Sequence, residues 1–511
     1  MNPPRRKFAL AVLLALWAGL CVAAPDPWQL LPAATVDGSG ISLGQVLHNA
    51  TPPVPQLLLA PAPACFAQAV SSTPQTFTLQ QAVDYALAHY PAVRASLSQI
   101  EAAHAGIGVA RTAYLPQLNA LYQLDRATLN NIYGQTLPQS VLPSITGPVL
   151  PASAANTWGS AAGALFNWQP FDFGYRGANV NVARANEAGA SAQANITRLD
   201  VAVATMNAYF AVAAAQKVTI AAAANVKRRE DFAKSVGVLV ENQLRPGADF
   251  SRAQADLAQA RTHLIQAQTA EKSARAGFAA LLGLSAANTE IASGPLLADT
   301  PQSALEESPA IHNPFVAAQK TRVDLMQARE KVLDKSYVPS FALQASLWGR
   351  GSGAEATGIV DPGGAGLLLQ RVNWATGVQV TFPVLQFFTI RAQKRVEVAN
   401  EAAERARYDQ TVQDLTGQVA QARAELEGSR EISKNTPIEL SAAQDTERQA
   451  LARYQAGLAT IVEVSDAEAL LVQAEIDDAL ARLGVWRSMG GVAAAQGDLQ
   501  PFLQIVQKAG Q

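Results

Sequence analysis

Apolar and polar side chains alternate in four short stretches of the chain, which come in two pairs. In the stretch WATGVQVTF, one face carries Trp374, Val378 and Val380, and the other carries Gly377 and Gln379. Alternation over about ten residues is typical of a β-strand whose two faces meet different surroundings. The pattern predicts strands at about 117–126, 158–168, 340–349 and 372–382.

Long helical stretches separate the strand pairs. No proline occurs from Phe171 to Arg245, a run of 75 residues, and that length favours coiled-coil packing over a globular core. The second half has the same plan, although Pro437 predicts a kink or a break in its long helix. The helices are predicted at 78–113, 171–245, 249–284, 314–336 and, from about 388 onward, as two helices joined by the turn AGLA.

The two halves of the chain repeat one another. The stretch that starts at Tyr90 matches the stretch that starts at Asn313 at an offset of 223 residues, and later positions match at an offset of 214. Each half therefore carries the same ordered parts, which indicates an internal duplication. The matched positions include Pro91 with Pro314, Tyr114 with Tyr337, Pro116 with Pro339, Leu244 with Leu458, Ser251 with Ser465 and Gln259 with Gln473. The predicted domains are 76–300 and 301–499, followed by a C-terminal tail at 500–511.

The N-terminus is typical of a secretory signal peptide, predicted at 1–24. Three basic residues precede an apolar run that ends in small residues. A lipoprotein signal has a small residue directly before its cysteine, and Leu20, before Cys21, is not small. Cleavage after Ala23 or Ala24 is therefore favoured, and lipidation of Cys21 is the alternative. Residues 25–75 are rich in proline and alanine and predict an extended arm. Since no later run of about 18 apolar residues occurs, a membrane role would have to use β-strands.

Composition argues against several function classes. The net charge of −2, without a basic cluster beyond the N-terminus, argues against a nucleic-acid partner. The five histidines form no close pair of metal ligands, and neither a P-loop nor a dinucleotide motif occurs. We therefore expect no enzyme activity, no cofactor and no metal site.

The four strands pose a problem of closure. Aromatic residues gather near their ends, as in the aromatic girdles of membrane barrels. A barrel in lipid leaves no open edge, and about eight strands is the smallest common size. One chain with four strands would have to share a barrel with copies of itself, as a homo-oligomer.

Two apolar stripes on the final helix suit a ring of helices. The alternative is a soluble periplasmic coiled-coil scaffold.

Four stretches resemble the TolC-type outer membrane factors. They are FTLQQAVDYALAHYPAVRASLSQIEAAHAGIGVARTAYLPQL, WQPFDFG, LRPGADFSRAQADLAQAR and YQAGLATIVEVSDAEALLVQAE, and the similarity runs from about Phe77 to Leu499. The resemblance implies a mainly α-helical trimer in which four strands per chain build a twelve-stranded transmembrane β-barrel, continued by a long α-helical barrel. It implies the outer membrane of a Gram-negative bacterium, extending into the periplasm, with a periplasmic adaptor and an inner-membrane transporter as partners. Efflux of small molecules is favoured, and type I protein secretion is the alternative.

The resemblance also assigns roles at the tips of the helical hairpins. Glu463 and Asp466 would form an acidic ring around the periplasmic pore entrance, with coupled and partly raised pKa values; the alternative is a solvated helix start. Asp249 and Tyr454 would help to hold the entrance closed as a latch. A basic residue of the family's latch corresponds to Ala459, which predicts a weaker or differently built closure.

Overall fold

The computed structural model describes residues 75–128, 155–286, 289–292, 301, 312–354 and 364–509. These residues belong to one compact unit, Ala69–Gln511. The predicted signal peptide, and the predicted arm up to residue 74, lie outside the described residues.

The described part of the first half contains four α-helices and four β-strands. They are β1 (Gln75–Phe77), α1 (Leu79–His89), α2 (Pro91–Thr112), β2 (Gln117–Thr128), β3 (Asn156–Phe171), α3 (Tyr175–Glu241), α4 (Gly247–Leu282) and β4 (Thr289–Ile291). At 1.5 Å per residue, α3 alone is roughly 100 Å long.

The second half has the same order of parts. Its described α-helices and β-strands are α5 (Pro314–Lys335), β5 (Ser340–Ser352), β6 (Arg371–Thr381), α6 (Gln386–Gln455), α7 (Ile461–Gln496) and α8 (Gln500–Ala509). A helix, two strands, a long helix and a return helix thus occur twice, which confirms the predicted duplication. Helix α8 buries Phe502 and Leu503.

The single helix expected from Thr78 to Ala113 is in fact two helices. Tyr90 has an extended backbone (φ −66°, ψ 130°) between α1 and α2. The residue before a proline avoids the helical region, and Pro91 is well suited to the first position of the next helix. Thr78 begins α1 with a capping box in which its side chain and that of Gln81 bind each other's backbone N–H groups.

The break considered at Pro437 does not occur. Helix α6 is continuous from Gln386 to Gln455 with Pro437 inside it. The ring removes one backbone hydrogen bond, but the flanking turns remain held by α7: the buried Thr436 hydroxyl donates to Asp478 Oδ1 at 3.2 Å. Packing along the whole hairpin therefore outweighs the loss of one bond.

The long strands form one antiparallel sheet in the order β2-β3-β5-β6. Its register sorts side chains by polarity. On one face Leu343 lies opposite Val378 and Leu347 opposite Trp374, and Trp374 is 74% exposed. The other face carries Asn119, Gln123, Asn167, Gln344, Ser346 and Gln379. We call the first the apolar face and the second the polar face.

The main core lies midway along the helices. Tyr209 of α3 is fully buried there, and its hydroxyl donates to the carbonyl of Ala292 at 2.8 Å, beside the parallel pair of β1 and β4. Phe278 meets the Tyr209 ring edge-on at 5.8 Å between centroids, and Trp486 and Phe502 belong to the same core. This core joins both halves of the chain and holds the hairpins in a fixed register. Among the described residues, no helix is both long and apolar enough to cross a lipid bilayer.

Candidate functional site: the hairpin tips

The two helical hairpins, α3–α4 and α6–α7, end in the same kind of turn. Leu244 N–H donates to the carbonyl of Leu239, and Leu458 N–H donates to that of Arg453, both at 2.8 Å. These are the long bonds of a Schellman motif, which requires a left-handed residue just before the donor. Gly457 (φ 77°) meets that need without strain, whereas Gln243 (φ 60°) adopts it at a steric cost.

The structure brings the two predicted latch residues together within one chain. Tyr454, at the end of α6, is 1% exposed. Its hydroxyl donates to Asp249 Oδ2 at 3.1 Å, and its ring meets Phe232 edge-on at 5.5 Å between centroids. The first hairpin therefore contacts the second through a partly buried hydrogen bond at the tips.

Arg245 is a third member of this contact that the sequence reasoning missed. Its guanidinium lies over the Tyr454 ring at 4.3 Å and donates to the Tyr454 carbonyl. At the offset of 214 residues between the halves, Arg245 corresponds to Ala459, which is 6% exposed in the tip core. The cation that position 459 lacks is thus present at the equivalent position of the first tip, and an alignment of the two repeats could have revealed it.

The surroundings of Tyr454 keep its hydroxyl protonated. Burial, followed by the hydrogen bond to the Asp249 carboxylate, raises the pKa of Tyr454 to about 12. The positive charge of Arg245 lowers the pKa of Tyr454 and weakly opposes this rise. The hydroxyl therefore remains a donor throughout the physiological range.

Glu463 caps the start of α7. Its Oε1 accepts from Thr460 N–H at 3.1 Å, and the Thr460 hydroxyl accepts from Glu463 N–H at 3.4 Å. Arg453 lies 3.7 Å from the same carboxylate. The bond from Thr460 N–H lowers the pKa of Glu463, so within one chain the shift is opposite to the rise expected of a ring. The geometry is that of a helix cap, the alternative considered above.

Asp466 lies one turn further along α7, on the same exposed face as Glu463. Val464 and Ala467 point the other way and are buried. The two carboxylates therefore point away from the tip core and are exposed to solvent in the single chain.

A buried ion network lies behind the acid pair. Arg229 of α3 is 7% exposed and Glu468 of α7 is 2% exposed, and Arg229 Nε lies 2.8 Å from Glu468 Oε2. Arg229 also donates to the Ser465 carbonyl at 3.0 Å, and the Ser465 hydroxyl donates to Asp256 Oδ2 of α4 at 2.5 Å. Three helices from both hairpins therefore meet at one guanidinium, which the sequence analysis did not identify.

Burial raises the pKa of Glu468, and the charge of Arg229 opposes that rise. The carboxylates of Glu447 and Asp256 raise the pKa further. Arg229 is thus the group that allows several acids to share this space.

The profile of one protein family matches this chain twice in succession. The family is described as outer membrane efflux protein, and the matches cover residues 82–284 and 300–497. The chain belongs to the outer membrane efflux protein family. Its place is accordingly the outer membrane, with the helices extending into the periplasm, and its family consists of channels rather than enzymes.

The chain is also similar to a protein of known sequence and to solved structures with the same fold. Protein CyaE of Bordetella pertussis is 26% identical over 337 residues, which is 64% of this chain and 64% of the relative's own length. The fold is similar to that of the outer membrane protein VceC from Vibrio cholerae, at a TM-score of 0.63 and 18% identity, covering 83% of this chain and 97% of VceC.

A further structure with this fold is the MtrE outer membrane channel of Neisseria gonorrhoeae. It is similar at a TM-score of 0.64 and 19% identity, covering 82% of this chain and 89% of MtrE. Members of the family are trimeric and work with adaptors and inner-membrane transporters.

Proposed function

We propose that three copies of this chain join their sheets into one twelve-stranded barrel and form the outer membrane duct of a three-part efflux pump. The pump exports small toxic molecules, with a periplasmic adaptor and an inner-membrane transporter as its other parts. The duct contributes the passage and its closure, and no chemistry.

The observation that carries this proposal is the sheet with two unlike faces and two unpaired edges. Within the described residues, β2 and β6 each have a neighbour on one side only. Because the four strands alternate in direction, β6 runs antiparallel to β2, so β6 of one copy can pair with β2 of the next. Closure would place the apolar face against lipid and the polar face around water.

The tips supply the closed end of the proposed duct. In each copy the Tyr454–Asp249 hydrogen bond and the Arg245 contact draw the two hairpins together. Glu463 and Asp466 remain exposed beside that contact. Three copies would set six carboxylates around one opening, which attracts cations and repels anions.

An accumulation assay with a strain that lacks the gene tests this function. We expect the strain to retain more of a cationic dye such as ethidium, and the full chain to restore efflux. A chain without residues 1–24 serves as the control, since it should stay in the cytoplasm. If dye accumulation is unchanged while a secreted protein disappears from the medium, the efflux proposal is wrong and protein secretion takes its place.

A further inference from the structure

A basic cavity lies where the sheet joins the helices, outside the hairpin tips. It has a volume of about 560 Å³ and lies between the ends of α2 and α5 and the start of α3. Four of its lining residues are basic, and none of the described lining residues is acidic. The basic residues are Arg111, Arg184, Lys331 and Lys335.

The acids closest to this cavity along the chain are bound to other cations. Lys394 lies 3.3 Å from Glu330 and 2.5 Å from Asp334, and Arg176 lies 2.9 Å from Asp172. The cavity therefore has an excess of positive charge, which favours an anionic ligand.

One wall of the cavity is fixed in place by the base of the sheet. Arg176 lies over the Tyr114 ring at 4.6 Å and donates to the Ala113 carbonyl at 3.1 Å. The indole of Trp168 donates to the Tyr114 carbonyl at 3.1 Å. Trp168 lies opposite Leu343, so it belongs to the apolar face. The basic cavity thus adjoins the foot of the surface that meets lipid.

A second cavity, wholly apolar, lies on that face at the same level. Its volume is about 470 Å³, and Phe173, Phe341, Leu343 and Val378 are among its lining residues. Phe173 lines the apolar cavity and Gly174, the next residue, lines the basic one. A positive site and an apolar site are therefore neighbours at one edge of the membrane-facing sheet.

We propose that the basic cavity binds the phosphate headgroup of an anionic phospholipid, with the acyl chains of the lipid along the apolar cavity. Phosphate is recognised by Lys and Arg, and apolar chains favour an apolar, dry surface. A zwitterionic headgroup brings its own cation, which four basic residues disfavour. The proposal rests on the membrane location and not on what the duct exports.

Native mass spectrometry of the full-length protein in detergent tests the proposal. The probes are phosphatidylglycerol and phosphatidylethanolamine with the same acyl chains. We expect the wild type to retain phosphatidylglycerol in preference. The triple variant Arg184→Gln, Lys331→Gln, Lys335→Gln should lose that preference, at about fivefold in affinity per removed charge.

The matched control removes three exposed cations elsewhere, as Lys234→Gln, Lys434→Gln, Arg448→Gln, whose side chains are 77%, 71% and 75% exposed. It should bind both lipids as the wild type does, and circular dichroism should show all three proteins folded. Equal retention of the two lipids by the wild type, or equal loss in both triple variants, would overturn the proposal. Displacement of the lipid by inorganic phosphate alone would also overturn it, since the site would then recognise a free anion.

Discussion

At the residue scale, the tips show that a cation can be present at one of two equivalent positions of a duplicated chain and absent from the other. The resemblance places a latch cation at the position of Ala459, and the sequence therefore predicted a weaker or differently built closure. Arg245, at the equivalent position of the first tip, stacks on Tyr454 instead. The resemblance assigned Asp249 and Tyr454 as partners, whereas Arg245 was missed because its contact runs to the carbonyl of another hairpin.

Removing the Tyr454 hydroxyl tests the latch. A hydrogen bond to a charged group contributes roughly 1.5–3 kcal/mol, so Tyr454→Phe should raise the open probability about tenfold or more while the ring keeps its contact with Arg245. Single-channel recording in planar bilayers measures this, with Tyr408→Phe as the control. An open probability equal to that of the wild type would remove Tyr454 from the latch.

The raised pKa of Tyr454 predicts how closure depends on pH. A folded-state pKa of about 12, against about 10 for a free tyrosine, means that the stabilisation is complete below pH 10 and is lost as pH rises toward 12. Channel conductance should therefore increase over that interval. The Tyr454→Phe variant should lack this step, and a step of equal size in the variant would assign it to other groups.

At the element scale, the sequence predicted the helices and strands well where a polarity pattern marks them. It failed at two prolines, and it could not identify contacts between residues that are far apart in the chain. Pro437 was expected to kink or break α6, and the break does not occur because contacts with α7 maintain the helix. Tyr90 was placed inside a helix that Pro91 divides. The ion pair of Arg229 and Glu468 joins residues that are 239 positions apart, and no local sequence pattern predicts such a contact.

The buried network should hold the hairpins together behind the tips. Arg229→Met leaves Glu468 without its counter-charge and should reduce the opening free energy of the α7 amides by about 3–5 kcal/mol, as measured by native-state hydrogen exchange. The double variant Arg229→Met, Glu468→Leu should recover a large part of that loss.

The control for the Arg229 variants is Arg228→Gln. Its pair with Glu475 is more accessible, since both side chains are 26% exposed, so the loss should be about 1 kcal/mol or less. If Arg228→Gln and Arg229→Met lower the opening free energy of the α7 amides equally, burial of the network is not the source of its stabilising effect.

At the scale of the whole molecule, alternation in the sequence was enough to predict the two-faced sheet and the need for sister chains. The number of chains came from the resemblance and not from the residues. The strand order β2-β3-β5-β6 leaves the two edges that a closed barrel would join.

Cysteine pairs on those edges test barrel closure. In a Cys65→Ser background, Ala120→Cys on β2 is combined in turn with cysteine at Trp374, Thr376 or Val378 on β6. A disulfide needs Cα atoms within about 7 Å, so one register should give bands of two and three linked chains after oxidation. Single-cysteine variants provide the control, and a complete absence of linked bands would contradict closure through these edges.

The acid pair is tested at the same scale, since a ring exists only in the assembly. Neutralisation as Glu463→Gln, Asp466→Asn should lower the preference for cations in planar bilayers severalfold. Glu431→Gln, Asp445→Asn removes the same charge from exposed sites on α6 and should leave selectivity unchanged. Equal selectivity in wild type and the first variant would restrict Glu463 to its capping role.

The unequal chemistry of the two tips has a consequence for symmetry. One tip of each copy presents a guanidinium and a left-handed glutamine, and the other presents a glycine turn and two carboxylates. Six hairpins around a common axis would then obey threefold rather than sixfold rotation. Six identical subunits that dock on this end would meet two kinds of binding site in alternation. The docking subunit would therefore need two modes of binding.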